Sequence, residues 1–281
     1  MGTCRLCGQP AGFLRSQHKE CLAKRDAAQA RMNEVAQRSL REAVDRDALE
    51  AELRSIALGN FLDDSAVREA LVAAWEDGVQ KSLEDGVLTA DEEQRLAAFK
   101  EAFSLEQSVL DRKGALSRLV KAGVLRDLME GTLPQRVTVG GTLPVNLQKN
   151  EKIIWVFPNT QYLEDRVRRE YVGGYQGASI RVAKGVYWRV GGFRGHPIEH
   201  TERTHVDTGV LVVTNKHVYF VGPSKSLRIR HDKIISLVPF DDGIGLHRDT
   251  AAAKPQMFRT GDGWFTYNLL SNVSNVAGAG A

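Results

Sequence analysis

The sequence predicts a multidomain α + β chain: a small cysteine-rich tip (1–25), a helical bundle (26–133), and a C-terminal antiparallel β sandwich or barrel closed by a helix (136–274). Three observations carry this. All three cysteines fall within the first 21 residues. From there to about Glu130, apolar residues recur at spacings of three and four, the helical period. After Pro134 the period shortens to two, and Gly, Pro, Asn and Asp divide the pattern into short runs.

The tip reads Cys4-x2-Cys7-x10-His18-x2-Cys21. Two close pairs of soft ligands, separated by a short loop, can meet at one tetrahedral ion. Gly8 and Pro10 make the first pair a knuckle that turns around a metal. His18 and Cys21 are three residues apart where a helical pattern begins, so one helical turn presents both to one side. Four protein ligands with no open position predict a structural zinc. Three free thiols and a surface histidine are the plainer alternative.

A net charge of +3 hides three unlike blocks, with balances of +4 over 1–25, −8 over 26–135 and +7 over 136–281. The basic end is a candidate for anionic partners. No run approaches the roughly 18 unbroken apolar residues of a spanning helix, and the first residues carry no signal-peptide pattern. Thiols gathered at one end also suit a reducing compartment. The expected location is the cytoplasm, and the chain is not expected to be transmembrane.

From Cys21 to about Leu58 one long amphipathic helix is expected, bent near Asp45 to Asp47, with Met32, Val35, Ala36, Leu40, Leu49, Leu53 and Ile56 on its apolar side. Asn60 to Asp64 breaks it. A second helix carries Val67, Leu71, Ala74 and Trp75 and extends towards Leu83. Asp85-Gly86 marks a turn, and Thr89 with Glu92 forms a capping box that starts a helix through Leu96, Phe99, Phe103 and Leu105. A last helix spans Lys113 to Glu130 and stops at Gly131. The run Asp85-Gly-Val-Leu-Thr-Ala-Asp-Glu-Glu93 resembles the helix–loop–helix of tellurite-resistance-type (TerB-like) domains and, loosely, an EF-hand. A calcium loop needs alternating oxygen ligands and a glutamate at position twelve, which this run does not supply. The better reading is a solvated turn followed by a cap.

Strands are expected at 136–139, 152–157, 179–182, 186–190, 206–214, 218–221, 226–230, 234–239 and 256–260. Trp264, Phe265, Leu269, Leu270 and Val273 would form the apolar face of a closing helix, and 275–281 reads as a disordered tail. Gly209-Val-Leu-Val-Val-Thr-Asn-Lys-His-Val-Tyr-Phe-Val-Gly222, followed by Ser226-Leu-Arg-Ile-Arg-His-Asp-Lys-Ile-Ile-Ser-Leu237, resembles the core of bacterial pleckstrin-homology-like and GRAM-like domains. That resemblance implies about seven strands capped by a helix, and a binding module in place of an enzyme. Gly185 to Gly195 looks like a hairpin, and the long stretch from Val145 to Thr208 points to an insertion or an elaborated edge.

The resemblance implies docking of a protein partner, or of a lipid or phosphate headgroup at a basic pocket. Candidates for the latter are Lys184, Arg189, Arg194, Lys216, Lys225, Arg228, Arg230 and Lys233; Arg228 and Arg230 alternate along one strand and share a face. A solvated strand face is the bland alternative. His196, His200 and His205, with Glu199 and Glu202, are dense enough for a second metal. On a strand His196 and His200 share a face and His205 does not, so an exposed hydrophilic hairpin is the better reading. No nucleophile elbow, Ser-His-Asp signature or phosphate-cradling loop is present, and no catalytic role is assigned. Nucleic-acid binding is the competing function: Arg5, Arg15, Lys19, Lys24 and Arg25 surround the proposed zinc, and Tyr187 and Trp188 offer rings for stacking.

Overall fold

A computed structural model describes residues 2–12, 15–42, 45–141, 144–183, 186–249 and 255–276, with 166–183 and 186–201 described as backbone only. The chain divides into two compact units, Met1–Glu130 and Gly131–Ala281.

The first unit opens with a two-strand ribbon, β1 (Gly2–Thr3) and β2 (Pro10–Gly12), and continues into α1 (Lys19–Glu42) and α2 (Arg46–Ala57). The single bent helix expected over 21–58 is therefore two helices. The cause is local: the Asp45 carboxylate accepts from the backbone N–H of Asp47 and of Ala48, which makes it the cap of a new helix. Asp63 caps α3 (Asp64–Ser82) in the same way. Thr89 and Glu92 form the expected capping box of α4 (Ala90–Ala102). Ahead of it the Asp85 carboxylate accepts from the Val87 N–H, so this carboxylate is spent on a turn. The short α5 (Gln107–Leu110) and α6 (Ala115–Met129) complete the unit. Trp75 is fully buried at its centre among Met32, Leu49, Leu53, Leu71 and Leu96, and its indole N–H donates to the Leu96 carbonyl at 2.9 Å. Gly78 lets α3 approach α1 closely, since a Cβ there would lie 2.2 Å from Leu40 Cδ2 and force that side chain to shift.

The second unit is a seven-stranded antiparallel sheet with one helix. Its strands are β3 (Ile153–Ala183), β4 (Val186–Thr214), β5 (His217–Val221), β6 (Ser226–Arg230), β7 (Ile234–Phe240), β8 (Gly243–Arg248) and β9 (Gln256–Arg259), and α7 (Gly263–Asn272) follows. The order across the sheet is β6-β5-β4-β3-β9-β8-β7, so the first and last strands are neighbours. Its two edges, β6 and β7, are joined only by the 3₁₀ turn His231–Lys233. Seven flat strands would set those edges roughly 29 Å apart, whereas the step from Arg230 to Ile234 spans at most about 14 Å. The sheet must therefore curl until its edges approach at this corner. Inside the curl, Tyr162, Phe220 and Phe258 form a ring cluster with centroids 5.2–5.7 Å apart. Phe265 of α7 meets Trp155 edge-on at 4.8 Å.

Four sequence expectations change. The four strands expected at 152–157, 179–182, 186–190 and 206–214 belong to only two, β3 and β4, which pair from Ile153↔Thr214 out to Ala183↔Val186. Residues 186–195 are one strand and not a hairpin. Residues 136–139 form no strand, because alternation alone cannot make one without a partner ladder. Finally, Trp264 is 65% exposed while Phe265, Leu269, Leu270 and Val273 are buried. Leu269, Leu270 and Val273 follow Phe265 by four, five and eight residues and so share one stripe with it, and Trp264 is turned away from Phe265 by about 100°. The chain remains ordered through the 3₁₀ turn Val273–Asn275 to Val276, which is fully buried; 277–281 lie outside the described residues.

Candidate metal centre

The knuckle is built by the backbone. Cys4 N–H donates to the Gln9 carbonyl at 2.8 Å, Gly8 N–H donates to the Cys4 carbonyl at 2.9 Å, and Gly8 takes φ +73°, the left-handed conformation that glycine adopts without strain. This turn brings Cys4 and Cys7 to one side. His18 immediately precedes α1 and Cys21 lies in its first turn, the Leu22 N–H donating to the His18 carbonyl.

The donor atoms of Cys4, Cys7, His18 and Cys21 all lie within 4.8 Å of one another. Cys7 Sγ is 3.3 Å and Cys21 Sγ 3.7 Å from His18 Nδ1. An ion bound through sulfur at about 2.3 Å and nitrogen at about 2.0 Å has tetrahedral edges of roughly 3.5–3.8 Å, so the donor set fits such an ion. The imidazole is held from behind: Nε2 is 3.0 Å from the Pro10 carbonyl, which places a proton on Nε2 and leaves the Nδ1 lone pair facing the sulfurs. Cys4 is almost fully buried.

Charge supports the same reading. Burial would raise the Cys4 thiol, but backbone hydrogen bonds from Cys7, His18 and Leu6 outweigh it and bring it down to about 6. Cys21 is pushed up to about 11 by burial and by the neighbouring Cys7 and Cys4 sulfurs. Crowded thiols of this kind cannot all ionise unless a cation neutralises them.

The eight basic candidates fall in separate places. Arg189 and Arg194 are on β4 beyond the body of the sheet, and Lys184 is outside the described residues. Lys216 and Lys225 lie on turns at opposite ends of β5. Lys216 Nζ donates to the Lys149 carbonyl at 2.8 Å, and Lys225 Nζ lies 3.8 Å from Glu164. Arg228 and Arg230 share the exposed side of β6, and Arg230 makes a two-pronged pair with Asp232 at 2.9 and 2.8 Å. Lys233 is exposed on the 3₁₀ turn. Of the histidine group, His196 and His200 are described as backbone only, and His205 Nε2 meets Thr208 Oγ1 at 2.9 Å.

One polar constellation is invisible in the sequence. Buried Glu151 accepts from Thr214 Oγ1 (2.6 Å) and His217 Nδ1 (2.9 Å) on one oxygen, and from Tyr219 Oη (2.9 Å) and the Gln148 N–H (2.7 Å) on the other. Burial alone would raise its carboxyl, yet Thr214, Gln148, His217 and Tyr219 hold it below the usual range. Tyr219 is pushed up to about 12 by burial and by Glu151. His231 Nε2 donates to the Thr214 carbonyl at 2.8 Å, and burial holds His231 below the usual histidine range. Asp207 makes a smaller staple, accepting from the N–H groups of Ser224, Lys225 and Thr208. Thr214, His217, Tyr219 and His231 lie inside the motifs that the sequence singles out, whereas Glu151, 63 residues upstream of Thr214, carries no local signal.

No helix among the described residues is long and apolar enough to cross a membrane. Comparison with known proteins finds no matching family model, no matching curated protein and no matching solved structure.

Proposed function

We propose that this chain is a non-enzymatic binding protein: a structural zinc at Cys4, Cys7, His18 and Cys21 anchors the start of its helical unit, and a pleckstrin-homology-like C-terminal domain does the docking. The observation that carries this is the reach of β3 and β4. Their hairpin continues as a two-stranded ribbon far past the last contact with the rest of the sheet. Such a ribbon offers a long surface and encloses no cleft. Seven antiparallel strands followed by a helix support the pleckstrin-homology-like assignment.

The buried acid, histidine and tyrosine of the second unit support docking as well. Both Glu151 oxygens are occupied by fixed internal donors, so the carboxylate ties the segment before β3 to the β4–β5 turn. A general base needs a free lone pair facing a substrate. A finger-centred nucleic-acid reading stands second, favoured by the exposure of Arg5, Arg15, Lys19, Lys24 and Arg25 around the metal ligands.

The test is recovery of tagged full-length chain from its native cell. The expected result is one stoichiometric macromolecular partner, lost when residues between Asp165 and Arg203 are replaced by an Asn-Gly turn that preserves the hairpin register. A partner retained by that variant, or a chain recovered alone, contradicts the proposal.

A further inference from the structure

The outer hairpin has a definite register. From Leu163↔His205 to Arg181↔Tyr187 the pairing is continuous, with each residue opposite one of the same parity. Odd-numbered residues therefore share one face and even-numbered residues the other. β9 pairs with β3 only over Gln161–Glu164, and β5 pairs with β4 only over Val210–Val213. Beyond those limits the described residues form a ribbon of two strands, about 60 Å long at roughly 3.3 Å per residue.

Its composition differs from the rest of the chain. Between Tyr171 and Pro197 there are Arg181, Lys184, Arg189 and Arg194 and no Asp or Glu. The same stretch holds five aromatic residues, Tyr171, Tyr175, Tyr187, Trp188 and Phe193, and seven glycines. On the odd face the rows run Tyr171↔Pro197, Gly173↔Gly195, Tyr175↔Phe193 and Gly177↔Gly191, so ring-bearing rows alternate with rows of bare backbone. On the even face Gly174 is opposite Arg194 and Ile180 is opposite Trp188.

We infer that this ribbon binds single-stranded nucleic acid, its arginines meeting the phosphates and its ring rows receiving the bases. An unbalanced cationic strip attracts a polyanion and releases its counterions. The register places aromatic residues and glycines in alternating rows on one face, and stacking of bases on aromatic side chains tolerates any sequence. A lipid surface could also take arginines and interfacial rings, and vesicle binding is therefore one arm of the test. The inference rests on the docking reading and names the class of partner.

The experiment uses full-length chain and fluorescently labelled oligo(dT) of about 20 nucleotides, enough to cover one site of the 4–16 nucleotides common in single-strand binders. Saturable binding is expected, weakening steeply with salt. Arg181→Ala, Arg189→Ala and Arg194→Ala together are expected to cost at least about tenfold in affinity and to reduce the log–log salt slope by about 2, near 0.7 per lost phosphate contact. Tyr175→Ala with Phe193→Ala is expected to cost roughly 10- to 100-fold with the salt slope unchanged, the signature of lost stacking. Each variant is first shown to keep the wild-type circular dichroism and melting transition, and the Asn-Gly ribbon excision serves as a second negative control.

Absence of saturable oligo(dT) binding overturns the inference. So does binding that survives excision, competition by inorganic polyphosphate as strong as that by unlabelled oligo(dT), or ribbon-dependent binding to phosphatidylserine vesicles without oligo(dT) binding. In each case the docking proposal still stands if the native partner is lost on excision, so the two failures are distinguishable.

Discussion

Cys4→Ser is expected to abolish stoichiometric metal and to unfold residues 2–21 while the β unit keeps its own melting transition. Cys4 is the most buried of the four ligands and receives the knuckle's backbone hydrogen bonds, so no solvent ligand can replace its sulfur without opening the turn. Structural zinc in small fingers contributes about 10–16 kcal/mol of apparent binding energy at neutral pH, most of which is folding energy. Among the described residues, the short strands β1 and β2, the Arg5–Ser16 backbone hydrogen bond and the first turn of α1 are what otherwise hold the finger. The checks are zinc content by plasma emission and alkylation of Cys7 and Cys21, which is expected to be slow in the native chain and fast in the variant. Because thiolates bind metal and thiols do not, zinc affinity is also expected to fall as pH is lowered. Wild-type protein without zinc, or a variant that retains it, contradicts the assignment.

The second large effect is expected at Glu151. Glu151→Ala removes a carboxylate that satisfies four donors at once: Thr214, His217, Tyr219 and the Gln148 N–H. Leaving His217 and Tyr219 buried without their shared carboxylate costs about 3–5 kcal/mol, read as a loss of unfolding free energy in denaturant titration. Glu151→Gln keeps one acceptor oxygen and is expected to cost less. The same network sets an acid limit. The folded His231 lies below its unfolded value of about 6.5, so as pH falls beneath that point the unfolded chain takes up a proton first and stability declines. The folded Glu151 lies below its unfolded value of about 4.3, so its contribution is present above that pH and is lost as pH falls through the lower folded value. Two successive declines are expected, and Glu151→Gln removes the second while sparing the first. A stability profile flat between pH 7 and pH 5 would contradict the His231 assignment, and a decline below about pH 4.3 that is unchanged in Glu151→Gln would contradict the Glu151 assignment.

The parts of the molecule legible in the sequence are those fixed by neighbours along the chain. The spacing of Cys4, Cys7, His18 and Cys21 sufficed because a knuckle and one helical turn are local objects. Thr89 and Glu92 were legible as a capping box for the same reason. The helix break at Asp45 was half legible: the residues flagged a bend, but whether a carboxylate bends a helix or caps a new one depends on its rotamer. The long hairpin is hidden in the sequence because glycine pairs usually mark turns, and Gly173-Gly174 and Gly191-Gly192 divide this stretch into short runs. In the structure they lie inside strands, Gly173 opposite Gly195 and Gly177 opposite Gly191, where tertiary register overrides local preference. Glu151 was illegible because all three of its side-chain partners are more than sixty residues away. Trp264 reads as part of the apolar stripe of α7 because composition alone does not separate an aromatic residue from a stripe beside it, whereas the helix leaves it exposed.

A two-stranded ribbon without a third strand or a packed face is marginal by itself, whereas the curled sheet behind it is built around the Tyr162, Phe220 and Phe258 cluster. Amide hydrogen exchange on the full-length chain, free and saturated with oligo(dT), therefore tests the account most directly. Amides of 167–183 and 186–201 are expected to exchange far faster than those of β5, β8 and β9 in the free chain, and to gain protection on binding. Protection that appears instead on the finger or on β6, with the ribbon unchanged, would contradict it.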